Sequence, residues 1–187
     1  MTTQLLFTLL VLAIAAQRIA EVRLSKRHEA TLRAEGGYEV GHAHFRWMQA
    51  LHTSWFVVML AEVWLLDRPF IPWLFGVALA VTLLGQTLRY AAIRTLGDRW
   101  TVTIWVLPDA PPVTGGIYRY VRHPNYLGVI LELVAVPLLH TAWLTALVWS
   151  LLNAWMLRVR IRAEEAALED ANQYTESFGG TSRFLPS

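Results

Sequence analysis

Two short segments carry most of the residues able to do chemistry: TGGIYRYVRHPNYLG at 114–128 and RVRIRAEEAAL at 158–168. The first supplies Tyr118 and Tyr126, whose ring faces stack on a planar base or hold a cation, and His123, an imidazole suited to a carboxylate or hydroxyl. Pro124 disfavours helix at His123 and suits a first helical turn, which places His123 and Asn125 at a helix N-terminus, where free N–H groups favour anions. The second segment sets Arg160 and Glu164 four residues apart on one helix face. A surface pair at that spacing is worth only a few tenths of a kcal/mol, and Arg before Glu is the weaker order. Glu165, about 100° further round, either backs Glu164 or faces solvent.

Taken in order, Gly116-Ile117-Tyr118, Arg122-His123-Pro124-x-Tyr126-x-Gly128 and, beyond an apolar hairpin, Arg160-x-x-x-Glu164-Glu165-x-x-Leu168 resemble the signature of the isoprenylcysteine carboxyl methyltransferase family of integral membrane enzymes. The resemblance implies S-adenosyl-L-methionine as cofactor, contacted by Val113, Tyr118, His123, Pro124, Asn125, Tyr126 and Glu164. It also implies Arg160 and Glu164 as the catalytic residues, with Arg160 orienting an anionic substrate oxygen. No GxGxxG occurs, so the dinucleotide fingerprint of soluble enzymes is not the route to such a cofactor.

These segments must be positioned by a membrane protein. Of 187 residues 55% are hydrophobic and 16% charged, and there is no cysteine, which removes disulfides, thiolate metal sites and thiol nucleophiles. Apolar periodicity predicts an all-α polytopic protein of about five spans, near 3–17, 47–66, 70–88, 126–139 and 142–157, with a C-terminal hairpin around Pro137 and a catalytic loop and tail outside the lipid. No Lys or Arg precedes Arg18, so the first stretch reads as an anchor rather than a cleaved leader. Of the 16 Lys and Arg residues, all but Arg68 then fall on one face, which makes the loops and C-terminus cytosolic and the N-terminus external, in a plasma or inner membrane if the source is bacterial. One domain, 1–187, is expected, with three spans and a basic loop in 1–96 and the cofactor loop, hairpin and tail in 97–187. Within the basic loop, Gly36-Gly37 is expected to end a short amphipathic surface helix. Trp47, Trp64, Trp73, Trp105, Trp143 and Trp155 are expected near span ends, as interfacial anchors.

Ionisable groups inside spans face partners or cavities. His52 and Glu132 are therefore candidates for the substrate pocket, against simple interhelical bonding. His42 and His44, two residues apart without a further ligand at useful spacing, do not make a metal site, so no metal is expected, and no nucleic-acid partner either. The expected activity is methylation of an acidic oxygen, carboxylate, enol or phenol, on a lipophilic substrate such as an alkylpyrone or alkylresorcinol lipid or a prenylcysteine. A membrane reductase of the sterol or fatty-chain type and a non-catalytic adaptor or transporter are the rivals.

Overall fold

The computed structural model describes residues 1–185, without the side chains of 42–44. Five long helices carry the chain: α1 (Thr2–Ala34), α2 (His42–Leu65), α3 (Pro72–Leu96), α4 (Pro124–Leu138) and α5 (Trp143–Asn172), followed by the short α6 (Tyr174–Phe178). Three of them, α1, α3 with its 3-10 extension to Arg99, and α5, are long and apolar enough to cross a membrane; α4 is apolar but shorter. All five expected spans are helical. Leu5, Leu6, Leu9 and Leu12 of α1 point outward, while Phe7, Val11 and Ile14 pack inward against Trp55, Met59 and Val63 of α2. An apolar face turned outward in this way is what lipid contact requires.

The expected surface helix before Gly36-Gly37 is instead the continuation of α1, which runs unbroken for 33 residues. No Gly or Pro lies between Thr2 and Ala34 to interrupt it. The break does come at the glycines. Gly36 takes φ +88, and a Cβ on Gly37 would lie 2.8 Å from the Leu32 carbonyl oxygen. The 97–124 stretch is also not wholly irregular. Ile104–Val106 (β2) pairs antiparallel with Tyr38–Val40 (β1), in the register Tyr38↔Val106 and Val40↔Ile104. Ile104-Trp105-Val106 is wholly β-branched and aromatic, and Tyr38 and Val40 flank Glu39 in the same way, a local strand signal. Trp105 therefore sits in β2 with Arg33 over its ring, and Trp155 lies well inside α5; neither marks a helix end. The fifth expected span, 142–157, is the N-terminal half of a 30-residue helix.

α3 and α4 make the closest helix pair, and glycines allow it. A Cβ on Gly128 would lie 2.5 Å from Arg89 Cγ and 2.7 Å from the Gly85 carbonyl oxygen, and one on Gly85 would meet the Gly128 carbonyl at 3.0 Å. Small residues facing one another let two backbones touch. At the opposite end from the 114–128 and 158–168 motifs, Glu62 caps α5. It accepts from the Thr145 N–H at 2.7 Å, the Thr145 hydroxyl at 2.6 Å and the Leu144 N–H at 3.1 Å, and pairs with Arg68 at 2.8 Å. From Thr145 to Glu164 α5 climbs roughly 28 Å at about 1.5 Å per residue, close to one hydrocarbon thickness.

Candidate active site

A cavity of about 820 Å³ runs between α1, α2, α4, α5 and the 100–113 loop. Its volume lies within the usual range for a drug-sized or cofactor ligand. Toward the loop it is lined by Trp100, Val113, Tyr118, His123, Asn125, Tyr126, Arg160, Glu164 and Tyr174. Between the helices it is lined by Ile19, Met48, His52, Trp55, Phe56, Val129, Glu132 and Leu133. Of the residues expected to hold cofactor or substrate, all but Pro124 border one space; Glu165 stands behind it. Pro124 is fully buried at the first turn of α4 and does not line it; its part is to start the helix, with His123 as N-cap.

Tyr126 joins the two motif segments, 114–128 and 158–168. Its hydroxyl accepts from Arg160 Nε at 2.7 Å and donates to Glu164. Arg160, 4% exposed, also donates through Nη2 to the Val102 carbonyl at 2.6 Å. Arg160 and Glu164 are therefore not a surface salt bridge; they meet through a buried phenol. Nη1 of Arg160 makes no hydrogen bond among the described residues, which leaves its N–H groups for a ligand.

His123 is equally fixed. Its Nε2 lies 3.0 Å from Glu165 Oε1, and because an ionised carboxylate only accepts, that nitrogen donates. The ring stacks on Tyr126 with centroids 5.3 Å apart. Glu165 also takes both forks of Arg183, and Arg122 lies 3.6 Å away, so it backs the site rather than facing open solvent. The bonds from Glu165 hold the Arg183 guanidinium above its ordinary value, so the pair stays ionised. The tail is tied down by backbone as well: Arg122 N–H donates to Ser182 O at 2.9 Å and His123 N–H to Arg183 O at 3.1 Å. Burial, and after it the charge of Glu164, push the phenols of Tyr118 and Tyr174 well above their ordinary value, so both stay neutral.

Asn125 Oδ1, Arg122 Nε and Trp100 Nε1 are among the buried polar atoms on this wall that have no partner. Buried polar groups are nearly always bonded, so orphans on a cavity wall mark where a ligand's own groups would bond.

Deeper among the helices lies a four-charge network. Arg18 donates to both oxygens of Glu132 at 3.0 Å and pairs with Glu21 at 2.5 Å, and Arg89 pairs with Glu21 at 2.5 Å. Arg89 Nε is 3.8 Å from Glu132 and unbonded. Two guanidiniums and two carboxylates neutralise one another, as charges inside an apolar bundle must. Arg18 and Glu21 lie three residues apart, but their grouping with Arg89 and Glu132 was not legible, because Glu21 and Arg89 are 68 positions apart, Arg18 and Glu132 are 114 apart, and such residues meet only after folding. The tail contribution of Arg183 was hidden for the same reason. His42 and His44 lie outside the described side chains, and among those described no group of three or more His, Cys, Asp or Glu gathers as for a metal ion.

Comparison with known proteins places this geometry in context. Residues 76–170 match the Isoprenylcysteine carboxyl methyltransferase (ICMT) family. An uncharacterized protein of Bacillus subtilis, YpbQ, is 38% identical over 165 residues, 88% of this chain and 98% of its own length. Protein-S-isoprenylcysteine O-methyltransferase of Tribolium castaneum is 28% identical over 118 residues, 62% of this chain but only 42% of that protein. The solved structure of the eukaryotic intramembrane Ras methyltransferase ICMT superposes with a TM-score of 0.55 at 22% identity, over 78% of this chain and 56% of that one, and shares the fold.

Proposed function

The chain belongs to the isoprenylcysteine carboxyl methyltransferase family of membrane methyltransferases, and from that premise we propose that it transfers the methyl group of S-adenosyl-L-methionine to an acidic oxygen of a lipophilic substrate. The acceptor oxygen is a carboxylate, enol or phenol, carried by an alkylpyrone or alkylresorcinol lipid or a prenylcysteine. One observation carries the reading: a single cavity joins an apolar, helix-lined part, shaped for a hydrocarbon chain, to a polar part where Arg160, Tyr126 and Glu164 converge.

The residues at the polar end fit the cofactor. Asn125 Oδ1 is an unpaired acceptor for a ribose hydroxyl or an ammonium, Tyr118 and Tyr126 offer ring faces, and the Glu164 carboxylate balances positive charge. When bound, the cofactor supplies an electrophilic methyl group on a sulfonium. The protein's share is orientation and dryness. Arg160, held by the Tyr126 hydroxyl and the Val102 carbonyl, keeps Nη1 for the acceptor oxygen. Glu165 and Arg183 fix His123 and the loop, and the surrounding Trp100, Leu168 and Phe178 keep bulk water out. An anion and a cation that react to neutral products gain from such a partly dry site.

The orientation that obeys the positive-inside rule puts the cavity's polar end, the 97–123 loop and the tail at the cytosolic face. The decisive experiment is binding of labelled S-adenosyl-L-methionine to detergent-solubilised protein, followed by labelled methyl transfer to an extract of the host's lipids. Binding and transfer are expected. A protein that binds a nicotinamide nucleotide instead is a reductase, and one that binds neither is an adaptor or transporter.

A further inference from the structure

His52 lines the helix-enclosed part of the cavity, and no step above employs it. Its Nδ1 lies 2.8 Å from the Met48 carbonyl oxygen, one turn back along α2. A carbonyl only accepts, so this nitrogen carries the hydrogen, and in the neutral ring Nε2 is a lone-pair acceptor on the side away from the helix backbone. Nε2 has no hydrogen-bond partner among the described residues, and it is not walled off by protein. His52 shares the walls of this cavity with Arg18 and Arg89 of the ion-pair network and with Arg160 of the polar end.

The other groups able to take a proton there are engaged. Glu164 already accepts from the Tyr126 hydroxyl, and Glu132 is held through both oxygens by Arg18. Tyr118 and Tyr174 are neutral phenols. A carboxylate acceptor arrives ionised and needs no base, whereas a phenol or enol arrives with its proton. An unpaired imidazole acceptor on the wall of this cavity has a use only for the second kind.

Resting on the methyl transfer proposed above, we propose that His52 is the general base for a hydroxyl acceptor, and hence that the substrate class is a long-chain phenol or enol rather than a carboxylate. The O–H bond breaks and its proton passes to Nε2, giving an imidazolium. The oxygen's electron pair forms the new bond to the methyl carbon as the carbon–sulfur bond breaks, its pair remaining on sulfur as a neutral thioether. One positive charge enters with the sulfonium and one leaves on the imidazolium, so charge balances. Arg160, with Arg18 and Arg89 behind it, favours the oxyanion as the proton departs; Glu21 and Glu132 are already matched to those two arginines.

The test uses the full chain in lipid nanodiscs, as wild type, His52→Gln and His52→Ala, with long-chain phenols of graded acidity ending in a nitrophenol already ionised at neutral pH. For the least acidic phenol, His52→Gln is expected to lower transfer about 100- to 10,000-fold, and for the nitrophenol less than about tenfold, because that acceptor needs no base. A second readout needs no methyl donor: the bound alkyl-nitrophenol turns to its coloured phenolate at lower pH in wild type than in either variant. S-adenosylhomocysteine affinity and thermal unfolding confirm that the variants are folded. Losses equal across the acidity series, or no loss, together with superimposable colour titrations, overturn the assignment. If wild type methylates no acceptor at all, the methyl-transfer reading falls. The colour titration then decides on His52 by itself: a shift between wild type and variants upholds the base, and coincident curves remove it.

Discussion

Replacing Arg160 by lysine separates the geometry of the guanidinium from its charge. Arg160 is buried, and it spends Nε on the Tyr126 hydroxyl at 2.7 Å and Nη2 on the Val102 carbonyl at 2.6 Å while Nη1 stays free. A lysine ammonium is a single point and cannot span both acceptors, so one charge-assisted bond goes and its partner is left buried. That costs about 1.5–3 kcal/mol in the resting protein, enough for a clear fall in the unfolding midpoint. The donor kept for the acceptor oxygen is misplaced by the same change. A loss of similar size at the transition state lowers turnover roughly 10- to 150-fold, at about 1.4 kcal/mol per factor of ten. The assay is labelled methyl transfer by Arg160→Lys in nanodiscs beside wild type, with calorimetry of S-adenosylhomocysteine binding and thermal unfolding in detergent. Cofactor affinity is expected to change less than turnover, because Glu164, Asn125 and Tyr118 remain. Transfer within about twofold of wild type together with an unshifted midpoint refutes the reasoning, since it means that neither the bonds to Tyr126 and Val102 nor the planar fork matters.

Gly128→Ala is expected to destabilise by about 1–3 kcal/mol through overpacking, because its Cβ has to enter space held by Arg89 Cγ and the Gly85 carbonyl; an unchanged unfolding midpoint contradicts the close α3–α4 crossing. Glu62→Ala uncaps α5 and strands Arg68, a loss on the order of 3–5 kcal/mol in stability, while S-adenosylhomocysteine affinity of the folded fraction holds; the reverse pattern moves the site to that end of the bundle. Ser177→Cys, on the exposed face of α6 in a chain without native cysteine, is expected to escape an impermeant maleimide in intact cells and to react after permeabilisation; labelling from outside inverts the topology.

Much of this molecule was legible before folding. The five helical segments follow from runs of apolar residues that have to bury their backbone bonds in lipid, and Pro124 and Gly36-Gly37 mark where helices begin and end because their backbone restrictions are local. The ordered motif from Gly116 to Leu168 named the family, since residue type and spacing are properties of the string alone. Local signals also failed locally. The Tyr38–Val40 and Ile104–Val106 trios are too short to outweigh a helical context, and the charges after Arg18 looked like a separate surface helix although nothing interrupts α1.

What tertiary structure alone decided is which of those groups touch. Spacing put Arg160 and Glu164 on one helix face, but only the approach of α4 inserted the Tyr126 hydroxyl between them and ruled out the alternative of an exposed surface pair. Arg18 and Arg89 looked like markers of membrane sidedness; packing made them counterions of Glu21 and Glu132. Arg183 came back from the tail to hold Glu165, and His52 was left with an unmatched acceptor in a shared cavity. The physical reason is one of range. Helix propensity, capping and hydropathy act over a few neighbouring residues, whereas the pairing of a buried charge depends on which distant helix face happens to lie within a few ångströms, and no period in the string records that.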